Sequence, residues 1–223
     1  MVRENGVIRG VVRAAKRFFG WLLEDLKDLL IASRPVLPED KIPVDKKGKP
    51  DLSFYTEPLG YYIDLYTAFL NTRWKGSTRE QQMLAWKQRV HGTWGLSTKG
   101  QEALPFLITL LRHKNPDARE DAAFLLGELK LEAGIAEQLL ACLQTEQDLV
   151  AKSATMEALG KLRYRPAIPA LAAMILDKET DNDTRWSAID SLGSIVGQDF
   201  SGPDKLQQAE KWLTTHPSDM GQR

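Results

Sequence analysis

Apolar and charged residues alternate with helical spacing over the first part of the chain. In residues 5–32, apolar side chains recur every three or four positions, whereas most charged side chains occupy the opposite face. The positions expected to dock on another surface are Ile8, Val11, Phe18, Phe19, Trp21, Leu22 and Leu26. This pattern predicts an amphipathic N-terminal helix over residues 1–32, which needs a surface to lie on.

The next segment, residues 33–57, breaks the helical pattern. It contains Pro35, Pro38, Pro43 and Pro50. Because proline lacks a backbone donor and clashes with the preceding turn of a helix, the segment is predicted to be an extended linker. Helical spacing then returns, and residues 58–95 are predicted to form a degenerate helical hairpin that is interrupted at Gly76 and Ser77.

The C-terminal part of the chain repeats itself with a period of 33 residues. The recurring positions are Arg119, Lys152 and Arg185; Gly127, Gly160 and Gly193; and Leu126, Leu159 and Leu192. Each unit is interpreted as a helix, a polar turn, a second helix and a small-residue stop. One such hairpin cannot bury its apolar side alone, so neighbouring hairpins must stack. We therefore predict an all-α fold, with an α-solenoid of three repeats and a cap helix over residues 96–216 and a disordered tail at 217–223.

The second helix of each unit carries a family resemblance. Residues 116–129, with the sequence PDAREDAAFLLGEL, resemble the second helix of a HEAT repeat of the phycobilisome-lyase-like class, and residues 152–162 and 184–193 follow the same pattern. The resemblance covers about half of the chain and implies that the second helices line a concave face. It is specific for fold and says little about function, because the class includes accessory chains of enzymes, scaffolds and maturation factors.

The repeat register predicts which side chains lie off the core on that face. The predicted partner-binding residues are Glu120, Asp121, Phe124, Glu128, Glu157, Trp186 and Asp190. Two aromatic residues among carboxylates would suit a protein segment that carries basic and apolar residues. The alternative is that Phe124 and Trp186 pack between neighbouring repeats.

A row of basic residues offers a different function. Arg119, Lys152 and Arg185 could grip the phosphates of a nucleic acid. We favour pairing of these residues inside the solenoid with turn acids such as Asp117, Asp148 or Asp183, and the nearby carboxylates would repel phosphates. Nucleic-acid binding is therefore not the preferred hypothesis.

Composition narrows the remaining possibilities. The formal net charge is zero, with 30 Lys and Arg against 30 Asp and Glu, so no overall field favours a nucleic acid. The single cysteine, Cys142, cannot form an internal disulfide, which favours a reducing compartment, and charges interrupt every apolar run. We predict a cytoplasmic protein. Peripheral membrane contact through residues 5–32 stays open, although acidic residues in the second half of that segment favour docking on a protein.

Motifs for catalysis and metal binding are not found in the sequence. The three histidines, His91, His113 and His216, are far apart and none has a partner at metal-ligand spacing. We therefore predict a non-catalytic adaptor with no cofactor and no metal. The alternative implied by the resemblance is an accessory factor similar to a phycobilisome bilin lyase subunit.

Overall fold

The part of the chain described by the computed structural model comprises Val44, residues 51–129 and residues 133–220. The amphipathic helix predicted over residues 1–32, with its docking positions Ile8 to Leu26, lies outside the described residues, as does most of the predicted linker. The described residues belong to one compact unit, Val44–Arg223.

Within the described ranges the chain forms nine α-helices and no β-strand, which confirms the predicted all-α solenoid. The helices are α1 (Leu59–Leu70), α2 (Arg79–Thr98), α3 (Leu104–Leu110), α4 (Pro116–Glu128), α5 (Ala133–Thr145), α6 (Leu149–Lys161), α7 (Ile168–Leu176), α8 (Asn182–Val196) and α9 (Lys205–Thr215). Short 3-10 helices lie at Leu52–Phe54, Gly100–Ala103, Arg165–Ala167 and Pro217–Met220.

Polar turns start the second helix of each repeat, as their composition predicts. The Asn115 side chain accepts a hydrogen bond from the backbone N–H of Asp117 at the start of α4. Asp148 caps α6 and Asp181 caps α8 in the same way. Each cap satisfies backbone donors that have no partner inside the helix, so the polar turns fix where the helices begin.

Helices pack in consecutive pairs, namely α1 with α2, α3 with α4, α5 with α6, and α7 with α8. The second helices α4, α6 and α8 also pack side by side, and α9 closes the array against α7 and α8. One continuous apolar core runs through the array from Tyr55 to Leu213. Burial of this shared core is what a single hairpin could not achieve.

The glycines of the 33-residue period lie inside the helices, so the predicted small-residue stop is wrong. A methyl group on Gly127 of α4 would lie 2.8 Å from Cα of Ala158 in α6. A methyl group on Gly160 of α6 would lie 3.2 Å from Cα of Ser191 in α8. At Gly127 and Gly160 the period therefore encodes the close approach of neighbouring second helices, because glycine leaves room for the facing backbone. A methyl group on Gly193 would instead lie 2.6 Å from the carbonyl oxygen of Gln198, in the connection that follows α8.

The predicted disordered tail is also wrong for residues 217–220. These residues form a 3-10 helix in which Asp219 accepts a hydrogen bond of 2.5 Å from Arg165, and Met220 packs against the core. Residues 221–223 lie outside the described residues.

Candidate protein-binding face

The second helices α4, α6 and α8 carry the seven predicted partner-binding residues. Because these helices lie side by side, side chains at equivalent repeat positions are neighbours. We call this surface the second-helix face and include in it Trp94, which contacts Phe124, and the charged residues that contact the seven directly or through Arg89. It comprises Glu120, Asp121, Phe124, Glu128, Glu157, Trp186 and Asp190, together with Arg89, Trp94, Asp117, Lys161 and Lys205.

Six of the seven predicted residues reach solvent to some extent. Glu128 and Asp190 are exposed, whereas Glu120, Phe124, Glu157 and Trp186 are partly buried. Asp121 is only 4% exposed, so its prediction as a partner-binding residue is wrong. The reason is an ion cluster that draws its carboxylate inward.

Arg89 of α2 is the centre of that cluster. Its guanidinium contacts three carboxylates of α4: Asp117 at 3.0 Å, Glu120 at 2.8 Å and Asp121 at 2.7 Å. Tyr66 of α1 donates a hydrogen bond of 2.6 Å to Asp121. The cluster therefore joins the degenerate hairpin to the first clear repeat through charge-assisted hydrogen bonds, which are stronger than neutral ones.

Three carboxylates around one guanidinium leave the cluster with excess negative charge. Burial, and then the neighbouring charge of Asp121, raise the pKa of Glu120 to about 7, against the opposing effect of Arg89. Glu120 therefore changes its charge near neutral pH.

The sequence does contain a signal for Arg89 that the predictions missed. Extending the 33-residue register backwards from Ala122 reaches position 89. The equivalent residues Ala122, Thr155 and Ala188 are all buried. A charged residue at a buried register position needs an internal partner. The adjacent acids Glu120 and Asp121 have no acidic counterparts in the later repeats, and they are the candidates for that partner.

Phe124 lies between repeats rather than standing free. Its ring makes an edge-to-face contact with Trp94 of α2, with 6.3 Å between the ring centroids, and the ammonium of Lys161 lies 4.9 Å from its centroid. Lys161 also pairs with Glu128 and, at 2.9 Å, with Glu157. Burial alone would lower the pKa of Lys161, but the two carboxylates outweigh it and raise the pKa. Phe124 therefore packs between repeats, as the alternative interpretation of the sequence expected, and is not a free anchor.

Trp186 of α8 lies in a similar arrangement at the other end of the face. The Lys205 ammonium, from the first residue of α9, is 4.6 Å from the indole ring centroid and 3.1 Å from Oδ1 of Asp190. Phe124 and Trp186, the two aromatic residues predicted to lie on this face, therefore each lie beside a carboxylate and contact an ammonium group. This is cation–π geometry reinforced by an ion pair.

The basic row behaves as an internal feature, but with other partners than predicted. Arg119 pairs with Glu146 at 2.7 Å and donates to the backbone carbonyl of His113, while Asp117 contacts Arg89. Arg185 donates to the carbonyls of Asp177 and Thr180. The pairing of Arg119 with Asp117 is therefore wrong, because the acceptor comes from the following repeat. The hydrogen bond from Arg119 lowers the pKa of Glu146.

The charge of the second-helix face remains negative after these contacts. Its carboxylates are Asp117, Glu120, Asp121, Glu128, Glu157 and Asp190, and its cations are Arg89, Lys161 and Lys205. The acids outnumber the bases by three when all are ionised. The face therefore favours a cationic partner over a polyanion.

Comparison with known families agrees with this architecture. Residues 136–222 match HEAT repeats. The matched range covers α6 to α9 and thus two of the three second helices. HEAT repeats are general scaffolds that commonly mediate protein–protein interaction, and the match does not single out the phycobilisome-lyase-like class. No curated protein and no solved structure is similar enough to this chain to be matched.

Other kinds of site are not apparent in the described ranges 51–129 and 133–220. No group of three or more His, Cys, Asp or Glu side chains there is placed to hold a metal ion. Cys142 is half-buried, and burial raises the pKa of its thiol, which disfavours the reactive thiolate. No helix in this part of the chain is long and apolar enough to span a bilayer.

Proposed function

We propose that this protein is a non-catalytic helical-repeat adaptor that binds a protein partner through the second-helix face. The partner contributes a segment with basic and apolar residues. The observation that carries the proposal is that Phe124 and Trp186 each hold an ammonium group beside a carboxylate on a face with excess negative charge. Such a face attracts lysine and arginine side chains and offers them aromatic surface.

The HEAT repeats support an adaptor, because this family is generally a non-catalytic scaffold. Nucleic-acid binding is disfavoured by the same electrostatics. Arg119 and Arg185 are engaged with protein acceptors, and a polyanion would meet the carboxylates of the face. Docking of residues 5–32 on a partner surface, with peripheral membrane contact as its alternative, completes the proposed adaptor.

The proposal is tested by affinity purification from the native host with two matched variants. Glu128→Lys/Asp190→Lys reverses two exposed charges on the second-helix face. Glu137→Lys/Glu179→Lys makes the same change in net charge at exposed positions on α5 and on the turn between α7 and α8. Far-UV circular dichroism first verifies that both variants are folded.

A partner bound at the face is enriched by the wild type and by the Glu137/Glu179 variant, and it is lost from the Glu128/Asp190 variant in quantitative mass spectrometry. Equal enrichment by both variants contradicts the proposal, because the partner then binds elsewhere.

A further inference from the structure

The ammonium of Lys205 occupies a cation-binding position on the second-helix face that combines an aromatic ring with a carboxylate. It lies over the ring of Trp186 and pairs with Asp190, and the Lys205 side chain is only 15% exposed. The Asp190 side chain is 52% exposed, so solvent reaches this position from the carboxylate side. An aromatic ring with an adjacent carboxylate is the chemistry that recognises a lysine or arginine side chain.

The neighbouring position at Phe124 is closed more firmly. Lys161 there is the last residue of α6 and pairs with two carboxylates, Glu128 and Glu157. Lys205 belongs to a different kind of segment. It is the first residue of α9, and the preceding residues 197–204 form an irregular connection that contains Gly197 and Gly202 in the left-handed region.

Release of Lys205 requires no unfolding. Its side chain is a flexible stem, and its backbone N–H is one of the first donors of α9, which have no intrahelical acceptor in any helix. The side chain that anchors the start of α9 is Gln208, which donates to the carbonyl of Ser201 and to Asp204. Lys205 can therefore turn into solvent while α9 stays in place.

We propose that Trp186 and Asp190 form the binding position for a lysine or arginine side chain of the partner, and that Lys205 is an internal stand-in which the partner displaces. The inference rests on the proposed function and deepens it, since it names one position on the face and the side chain that enters it. In the free protein Lys205 shields the ring and carboxylate from other cations. Binding then exchanges one cation for another, so removal of Lys205 should tighten binding.

The test measures fluorescence anisotropy of a labelled 12-residue peptide of leucines and lysines, at low salt, against the full chain. Lys205→Ala removes the competitor. Lys211→Ala is the matched control, because Lys211 is an exposed lysine of the same helix and its loss changes the net charge equally. A peptide with glutamate in place of lysine controls for apolar binding, and Trp186→Leu removes the ring.

We expect Lys205→Ala to bind the lysine peptide about threefold to tenfold more tightly than the wild type, the range expected when a surface ion pair and a cation–π contact no longer compete. Lys211→Ala should bind slightly more tightly at most, through bulk charge. In the Trp186→Leu background the gain from Lys205→Ala should disappear.

If the wild type binds the lysine peptide but Lys205→Ala binds it no more tightly than Lys211→Ala does, the exchange is wrong. The proposed function then still stands. Failure of both the wild type and Lys205→Ala to bind the lysine peptide overturns the exchange and the basic partner segment together. The purification with Glu128→Lys/Asp190→Lys then decides whether the face binds any protein.

Discussion

Replacement of Gly127 by alanine perturbs the contact on which repeat stacking depends. The added methyl group would lie 2.8 Å from Cα and 2.9 Å from Cβ of Ala158, whereas ordinary contacts of this kind begin at 3.4 Å. The shortfall is about 0.6 Å against backbone, which cannot rotate away as a flexible side chain can. Helices α4 and α6 must therefore move apart, and overpacking of this kind costs about 1–3 kcal/mol.

A second glycine separates this steric cost from helix propensity. Alanine stabilises a helix by up to ~1 kcal/mol relative to glycine, so Gly127→Ala also carries a gain. Gly134, in α5, has no atom within 4 Å of an added methyl group, and Gly134→Ala should show the gain alone. The difference in the free energy of unfolding between the two variants should therefore be about 1–3 kcal/mol, with Gly127→Ala the less stable.

Urea unfolding followed by far-UV circular dichroism measures this difference. The slope of the unfolding free energy against urea concentration must be the same for both variants. A changed slope would indicate that one variant unfolds in parts. If Gly127→Ala proves as stable as Gly134→Ala, the glycine at position 127 is not required for close packing of α4 against α6.

Three further predictions concern charge and backbone strain. Arg89→Met should lower the free energy of unfolding by about 3–5 kcal/mol, because Asp121 stays buried without its cation, and urea unfolding would show it. Glu120→Gln should raise stability at pH 8 by about 2 kcal/mol and change it little at pH 4. The raised pKa of Glu120 means that its contribution to stability is complete below about 4.5 and is lost as pH rises through about 7, so thermal melting across this range checks the sign. Arg163→Gly should raise the melting temperature in the same thermal melts. Arg163 has a φ of 51°, in the left-handed region, where a side chain costs up to ~1 kcal/mol and glycine does not.

Periodicity was sufficient to predict the repeat, the polar caps and the order of the helices, because these depend on local sequence. The 33-residue register also placed Glu128 beside Lys161, since equivalent residues of stacked repeats are neighbours, although the predictions did not use it. Arg89 and Lys205 were missed for a different reason. They lie in the degenerate hairpin and in the cap helix, outside the three repeats from which the face was predicted, and the register was not carried back to position 89.

The missed cations change the chemistry of the predicted face. Arg89 of the degenerate hairpin pairs with Asp121, and Lys205 of the cap helix pairs with Asp190. Long-range ion pairs of this kind depend on how distant segments pack, and no local pattern specifies them. The carboxylates of the face still outnumber its cations by three when all are ionised.

Site-specific photo-crosslinking tests the central claim most directly. A photoreactive phenylalanine analogue replaces Ser194, which is exposed one turn after Asp190 on α8, or Ala173, which is exposed on α7. After irradiation in lysate of the native host, we expect a defined protein adduct from position 194 that is absent from position 173 and is lost when Glu128→Lys is added. Adducts from position 173 alone, or adducts from position 194 that persist with Glu128→Lys, would contradict binding through this face.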